Sequence, residues 1–297
     1  MGSFVTTASV FGAAALALTM AQTPAQAARK IVTVPCSPSA LSTAIAAANV
    51  TPTTLRLAAH CAYDITTAAT AADALPIITG NVRLVGGPST TIERAPTAAA
   101  FRILEVAAGG TLRVDGIFIQ NGAPAAGVPG AGIETAGSLT LNRVTLGGNA
   151  TTTANGGGVD ITSTGTALIN RTVISGNTAG GFGGGINNAG HLTLQNSRLS
   201  ANNASAGGGG LATQSSATSH VTRSTLELNT TSASGGGIDN LGTTLIDHTL
   251  IQHGAATAGG GGISNPAPGI VTLTRSTVRD NTPNNCLPLG TIVGCTG

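Results

Sequence analysis

Two carboxylates, Glu134 and Asp160, occupy equivalent positions in successive repeats of a Gly-x-Gly-Ile or Gly-Gly-Gly-Val string. If the repeats stack as parallel strands, these acids lie about 5 Å apart. That is near the separation at which one carboxyl acts as nucleophile and the other as acid and base in glycoside hydrolysis with retention. The same position then carries Asn187, Ala212, Asp239 and Ser264. A calcium-assisted elimination would need a cluster of carboxylates and a basic side chain, and Arg143 with Asp160 offers half of that set. One acid pair in a repeated position arises readily by chance. The expectation is therefore that no residue is catalytic, with Glu134 and Asp160 as the alternative pair. Glu134, Asp160, Asn187 and Asp239 are expected instead to belong to a polar binding face, pointing to solvent because the preceding Ile or Val points inward.

The elements that hold these residues follow from the repeat. Its starts fall at Gly130, Gly156, Gly183, Gly208, Gly235 and Gly260, intervals of 25–27 residues. Such a period marks one turn of a solenoid, whose units bury their apolar faces only by stacking. In the unit from Gly183, Ile186 opens a short strand and Asn187-Asn188-Ala189-Gly190 is turn chemistry. Leu192-Thr193-Leu194 alternates as a half-buried strand, and a third short strand runs through Ser197 and Leu199 and ends at Asn202. The fold class expected is all-β: a right-handed parallel β-helix with three short strands per coil and a short N-terminal capping helix. Gly, Thr and Ser at this density exclude a helical solenoid.

Aligning the coils by residue type places Asn121, Asn149, Asn177, Asn202, Asn229, His253 and Asn281 in one column, expected to be an internal hydrogen-bonded ladder. Another column, Asp115, Arg143, Arg171, Asn196, Arg223, Asp247 and Arg275, is expected to be exposed. Outward Thr140, Thr193, Thr244 and Thr272 would form a partial threonine face. Phe101 and Phe118 are expected in the core, whereas Phe182 could equally be exposed or folded back. The insert Gly122 to Pro129 should loop out between coils. Weaker coils precede the repeats, around residues 101–121, 82–94 and 55–66. Before them, 39–49 reads as a helix with Leu41, Ala44, Ile45 and Ala48 on one face and Ser37 or Ser39 as its cap.

Residues 1–27 read as a signal peptide, with an apolar stretch from Val10 to Met20 and a cleavage pattern Ala25-Gln26-Ala27, although no Lys or Arg precedes the stretch. The remaining plan is an N-terminal cap over 28–66, the β-helix over 67–285 and a Cys-closed C-terminal cap over 286–297. Four cysteines in an oxidising compartment favour disulfides. The pairing Cys36–Cys61 and Cys286–Cys295 would tie down one end each, and the spacing leaves the other pairings open. His191, His220 and the pair His248 and His253 are spread over three coils, so neither a metal nor another cofactor is expected. Thirteen Lys and Arg stand against 11 Asp and Glu, a net charge of +2. That is too little for phosphate-driven binding, so no nucleic-acid partner is expected. A monomer without a membrane span after cleavage is expected, facing an extracellular glycan or cell-surface component.

The segment Leu41-Ser42-Thr43-Ala44-Ile45-Ala46-Ala47-Ala48-Asn49 resembles the opening of many secreted bacterial β-helix proteins. The coils Gly-Gly-Gly-Ile-Asn-Asn-Ala-Gly-x-Leu-Thr-Leu and Ser-x-Leu-x-x-Asn resemble the repeats of the polymorphic outer-membrane-protein type. The resemblance covers most of residues 31–295 and implies the pectin-lyase-like β-helix fold. It implies little about activity. Parallel β-helices include pectate lyases and polygalacturonases, but the latter's Asp-Asp, Gly-His-Gly and Arg-Ile-Lys motifs are missing here. No C-terminal membrane barrel or sortase signal is recognisable, so the resemblance implies a freely secreted chain.

Overall fold

The computed structural model describes Gly2 and residues 29–295. The signal-peptide expectation over 1–27 lies outside the described residues. The chain winds into a parallel β-solenoid of about ten turns. A first sheet of ten strands runs from Lys30–Val34 and Thr53–Leu57 to Ile270–Thr274. A second sheet of nine runs from Ala62–Ile65 to Thr277–Arg279, and a third of eight from Leu104–Val106 to Cys286–Leu287. Beyond the three strands per coil expected, four successive coils add a two-residue strand. These are Thr178–Ala179, Asn203–Ala204, Thr230–Thr231 and Ala255–Ala256, which form a small fourth sheet.

Period-two alternation explains each wall. In Ser138–Asn142, Leu139 and Leu141 are buried while Ser138, Thr140 and Asn142 face out. Stacking repeats this at every level. Ile119, Leu146, Ile174, Leu199, Leu226 and Ile251 line the core from the second sheet, and Ile133, Val159, Ile186, Leu211, Ile238 and Ile263 line it from the third. The same phase corrects two expectations. Phe118 points outward and is 38% exposed, because Ile119 takes the inward place. Thr244 points inward and is fully buried, and the outward member of that column is Leu245.

The helix spans Pro38–Val50. Ser37 caps it through its hydroxyl, which accepts from the Ala40 N–H, and Leu41, Ile45 and Ala48 are buried. Asn49 at its end accepts from the Thr79 and Gly80 N–H groups, fixing the helix to the start of a coil. The disulfide Cys36–Cys61 joins the segment before the helix to the second-sheet side, and Cys286–Cys295 closes the other end. Tyr63 is wholly buried, its hydroxyl donating to Val34 O and accepting from Ala58 N.

Inside the corner after the second sheet runs an amide ladder. Asn149, Asn177, Asn202 and Asn229 are each fully buried, and each Nδ2 of the first three donates to the Oδ1 of the next at 3.0 Å. That Oδ1 also accepts the backbone N–H of the previous rung. Asn281 holds the equivalent place near the C-terminal end. Asn121 and His253 do not belong to the ladder. Both have positive φ, 61° and 53°, and sit one residue earlier, at the turn itself. The ladder place at their levels is glycine, Gly122 and Gly254. A Cβ there would lie 2.0 Å from Ala131 O and 2.3 Å from Gly261 O, so the following Gly-rich turn occupies the space an asparagine would need. A parallel hydroxyl ladder lines the corner after the first sheet. Thr172, Ser197, Ser224, Thr249 and Ser276 each accept the backbone N–H of the preceding coil.

Candidate functional site

The third sheet aligns Glu105, Glu134, Asp160, Asn187, Ala212, Asp239 and Ser264 side by side. The column foreseen from the repeat is therefore present, extended by Glu105. Glu105 and Glu134 are half-buried, and from Asp160 onward the column does not face solvent. Asp160 is 6% exposed, Asn187 3% and Asp239 7%. The reason is the Gly-rich segment that precedes each strand, which folds back against the column: a Cβ at Gly156 would lie 2.6 Å from the Asp160 Cβ, and one at Gly207 2.6 Å from Asp239 Oδ2. Only a residue without a side chain permits that approach.

At the N-terminal end of the column the acids converge on Arg102, which is 3% exposed. Its Nε donates to Asp73 Oδ1 at 2.7 Å, its Nη2 pairs with Glu105, and its Nη1 pairs with Glu134 and donates to Pro129 O at 3.0 Å. Three carboxylates thus share one buried guanidinium, which satisfies the requirement that a buried charge be paired. Burial pushes the Glu105 carboxyl up, Arg102 pulls it down and Asp73 pushes it up again, with a raised pKa as the result. Asp160 stands one level further on. Its Oδ1 accepts from Asn187 Nδ2 at 2.8 Å, and Asn187 Oδ1 accepts from Gln214 Nε2 at 2.7 Å. Burial raises the Asp160 pKa to about 6 against the pull of Asn187 and Arg102.

Glu134 and Asp160 are therefore brought onto adjacent strands, but each is committed within the fold. The insert after Asn121 does not wall a groove beside them. It is tied down, with Gly127 N–H donating to Thr153 Oγ1 and Pro129 O held by Arg102. Arg143 is elsewhere, at the exposed corner after the first sheet, and shares no site with Asp160. Sequence reading missed Arg102 and Asp73. The available signal was an arginine set among Phe101, Ile103 and Leu104 in a chain with few charges.

Asp239 is different. No arginine, lysine or histidine pairs with it among the described residues, and burial raises its pKa to about 6 against a hydrogen bond from Ser264. It borders a pocket of about 270 Å³ lined also by Ala206, Ala233, Ser264 and Leu287. Phe182 is half-buried, with its ring edge against Gly207 and its N–H donating to Asn155 Oδ1. Among the described residues no group of three or more His, Cys, Asp or Glu side chains is arranged to hold a metal ion.

The exposed column after the first sheet is also corrected in register. Strand pairing aligns Asp115 with Asn142, Asn170, Gln195, Thr222, Asp247 and Thr274. The arginines belong one residue later, at the turn, where Gly116, Arg143, Arg171, Asn196, Arg223, His248 and Arg275 all have φ between 47° and 66°. All but the glycine are exposed.

No protein family, curated protein or solved structure matches this chain.

Proposed function

We propose that the protein is a non-catalytic extracellular scaffold of the bacterial β-helix repeat type, which binds a glycan or cell-surface component along its outer faces. Ten strands at about 4.8 Å spacing make the first sheet a face roughly 43 Å long. Its outward residues include the hydroxylated Ser138, Thr140, Thr166, Thr193 and Thr218, with Leu168, Leu245 and Ile270 set among them. The single observation that carries this reading is the commitment of Glu134 to Arg102 and of Asp160 to Asn187 beneath a Gly-rich cover. A glycosidase needs both carboxyls open to a sugar, and a lyase needs a free base.

Two disulfides fit an oxidising, extracellular compartment, and no helix among the described residues is long and apolar enough to cross a membrane. Secretion through a cleaved leader and a monomeric state are part of the proposal. The test is binding to an array of neutral and acidic extracellular glycans and to whole cell-wall preparations. Thr166→Glu with Thr193→Glu should weaken capture, and Thr225→Glu on the second sheet should not. Failure to bind any glycan or cell-wall fraction would remove the proposal.

A further inference from the structure

The corner between the first and second sheets concentrates positive charge in a chain that has little of it. Of 13 basic residues, four arginines fall in this one column, at Arg143, Arg171, Arg223 and Arg275. Arg275 is paired with Asp247. Arg143, Arg171 and Arg223 make no side-chain hydrogen bond or ion pair among the described residues, and all three are exposed. Like charges stacked in a column repel, and the residues level with them in the neighbouring columns carry no carboxylate. The residues flanking them on the first sheet are Asn142, Asn170, Gln195 and Thr222, and those on the second are Thr145, Val173, Arg198 and Thr225. Arg198 is itself neutralised by Glu227. Carboxylates return only at the ends of the stretch, as Asp115 and Asp247.

The backbone fixes where these side chains start. Each of the arginines holds the left-handed conformation that the turn imposes on every residue of this column, φ 54°, 50° and 47°. Beside the arginines runs an outward amide row. Asn170 Nδ2 donates to Asn142 Oδ1 at 3.2 Å, and Asn196 Nδ2 donates to Asn170 Oδ1 at 3.0 Å. These bonds hold the amides in fixed orientation next to the guanidinium groups.

From this charge, spacing and flanking chemistry we infer that the corner is a binding track for a linear acidic polysaccharide, with Arg143, Arg171 and Arg223 taking its carboxylate or sulfate groups and the amide row its hydroxyls. The inference rests on the scaffold reading and specifies its ligand. Arginine forks match planar oxyanions in two-bond geometry. Arg143 and Arg171 stand one level apart and Arg171 and Arg223 two, about 4.8 and 9.6 Å. Those are the distances between neighbouring and alternate units of an extended sugar chain. The track is narrow and straight, and it suits a thin single polymer better than a duplex, whose paired phosphate rows need a broader basic surface.

The test is titration of the intact protein with polygalacturonate, heparin, neutral dextran and duplex DNA at low and moderate salt. The wild-type protein should bind an acidic polysaccharide, more weakly as salt screens the contacts, and should ignore dextran. The triple variant Arg143→Gln, Arg171→Gln, Arg223→Gln should lose at least tenfold in affinity. A control triple of equal charge change, Lys30→Gln, Arg56→Gln, Arg279→Gln, should lose less than threefold. Polygalacturonate and heparin separate carboxylate from sulfate recognition, and binding of either supports the track. Equal losses in the two triples, or tighter binding of the DNA, would overturn it. Binding of dextran or other neutral glycans alone would overturn the track and leave the scaffold reading standing. Matching melts of both triples exclude a folding defect.

Discussion

Replacing Asn202 by alanine should be among the most damaging single changes in the solenoid. Asn202 Oδ1 accepts two bonds from the coil before it, from the backbone N–H of Asn177 at 3.1 Å and from its Nδ2 at 3.0 Å. Its own Nδ2 donates to Asn229 Oδ1 at 3.0 Å and to Ile174 O at 2.9 Å. All these groups are buried among close neighbours: a Cβ at Gly185 would lie 3.1 Å from the Asn202 amide. Alanine strands the Asn177 N–H completely, while the Asn177 Nδ2 keeps Leu146 O and Ser175 O, each at 3.2 Å. A buried group left without a partner costs about 1–3 kcal/mol, so the expected loss is about 1–3 kcal/mol. Stability in a solenoid is a sum of repeat and neighbour terms, so the damage should centre on the two coils that meet at this rung. Urea unfolding gives the total, and amide exchange at Asn177 reports the location. Asn203→Ala, which removes one exposed bond from Thr230 and carries no positive φ, is the control and should stay within about 0.5 kcal/mol. A loss at Asn202 no greater than the control, or unchanged protection at Asn177, would refute the ladder as a structural element.

Further expectations follow from the buried acids and the turns. Asp160 and Asp239 bind protons more tightly folded than unfolded, so their contribution to stability is full below about pH 4 and is lost as pH rises through about 6. The double variant Asp160→Asn, Asp239→Asn should therefore remove up to about 3 kcal/mol per group from the difference between urea unfolding at pH 4 and pH 7, and an unchanged pH profile would contradict the burial. Gly236→Ala places a Cβ 2.5 Å from Gly261 O and 2.7 Å from Ala255 N and O, all backbone, and should cost about 1–3 kcal/mol in thermal unfolding. Gly176→Ala, with nothing within 4 Å, should cost only its positive φ of 64°. Arg223→Gly relieves the left-handed strain and should be roughly 1 kcal/mol more stable than Arg223→Ala, and equal melts would show the turn to be unstrained.

The repeat made the architecture legible because a coil's glycines, apolar alternation and length all recur. Both disulfides lie where the flanking cysteines pointed, and the helix begins one residue earlier than its pattern indicated, at Pro38. Register within a corner was less accessible. Asn121 and Asn149 look alike in sequence, yet one sits at a positive-φ turn and the other is a ladder rung one residue later. Residue type does not reveal the sign of φ. Aligning on the inward residue after the turn, Ile117, Val144, Thr172, Ser197, Ser224 and Thr249, would have placed Gly116 and His248 in the arginine column. The commitment of Glu134 and Asp160 was hidden for another reason. Glycine backbone from the preceding turn packs against both, Arg102 reaches Glu134 from an upstream coil with a weak repeat, and Asn187 takes Asp160.

Polysaccharide turnover tests the non-catalytic assignment most directly. Reducing-end and unsaturated-product release should be measured over a panel of acidic and neutral polysaccharides, with and without calcium, using protein that melts cooperatively. Glu134 and Asp160 held by Arg102 and Asn187 predict no product from any substrate, alongside retained binding. Turnover by the wild-type protein that disappears in Glu134→Gln or Asp160→Asn would contradict it and make the column an active site.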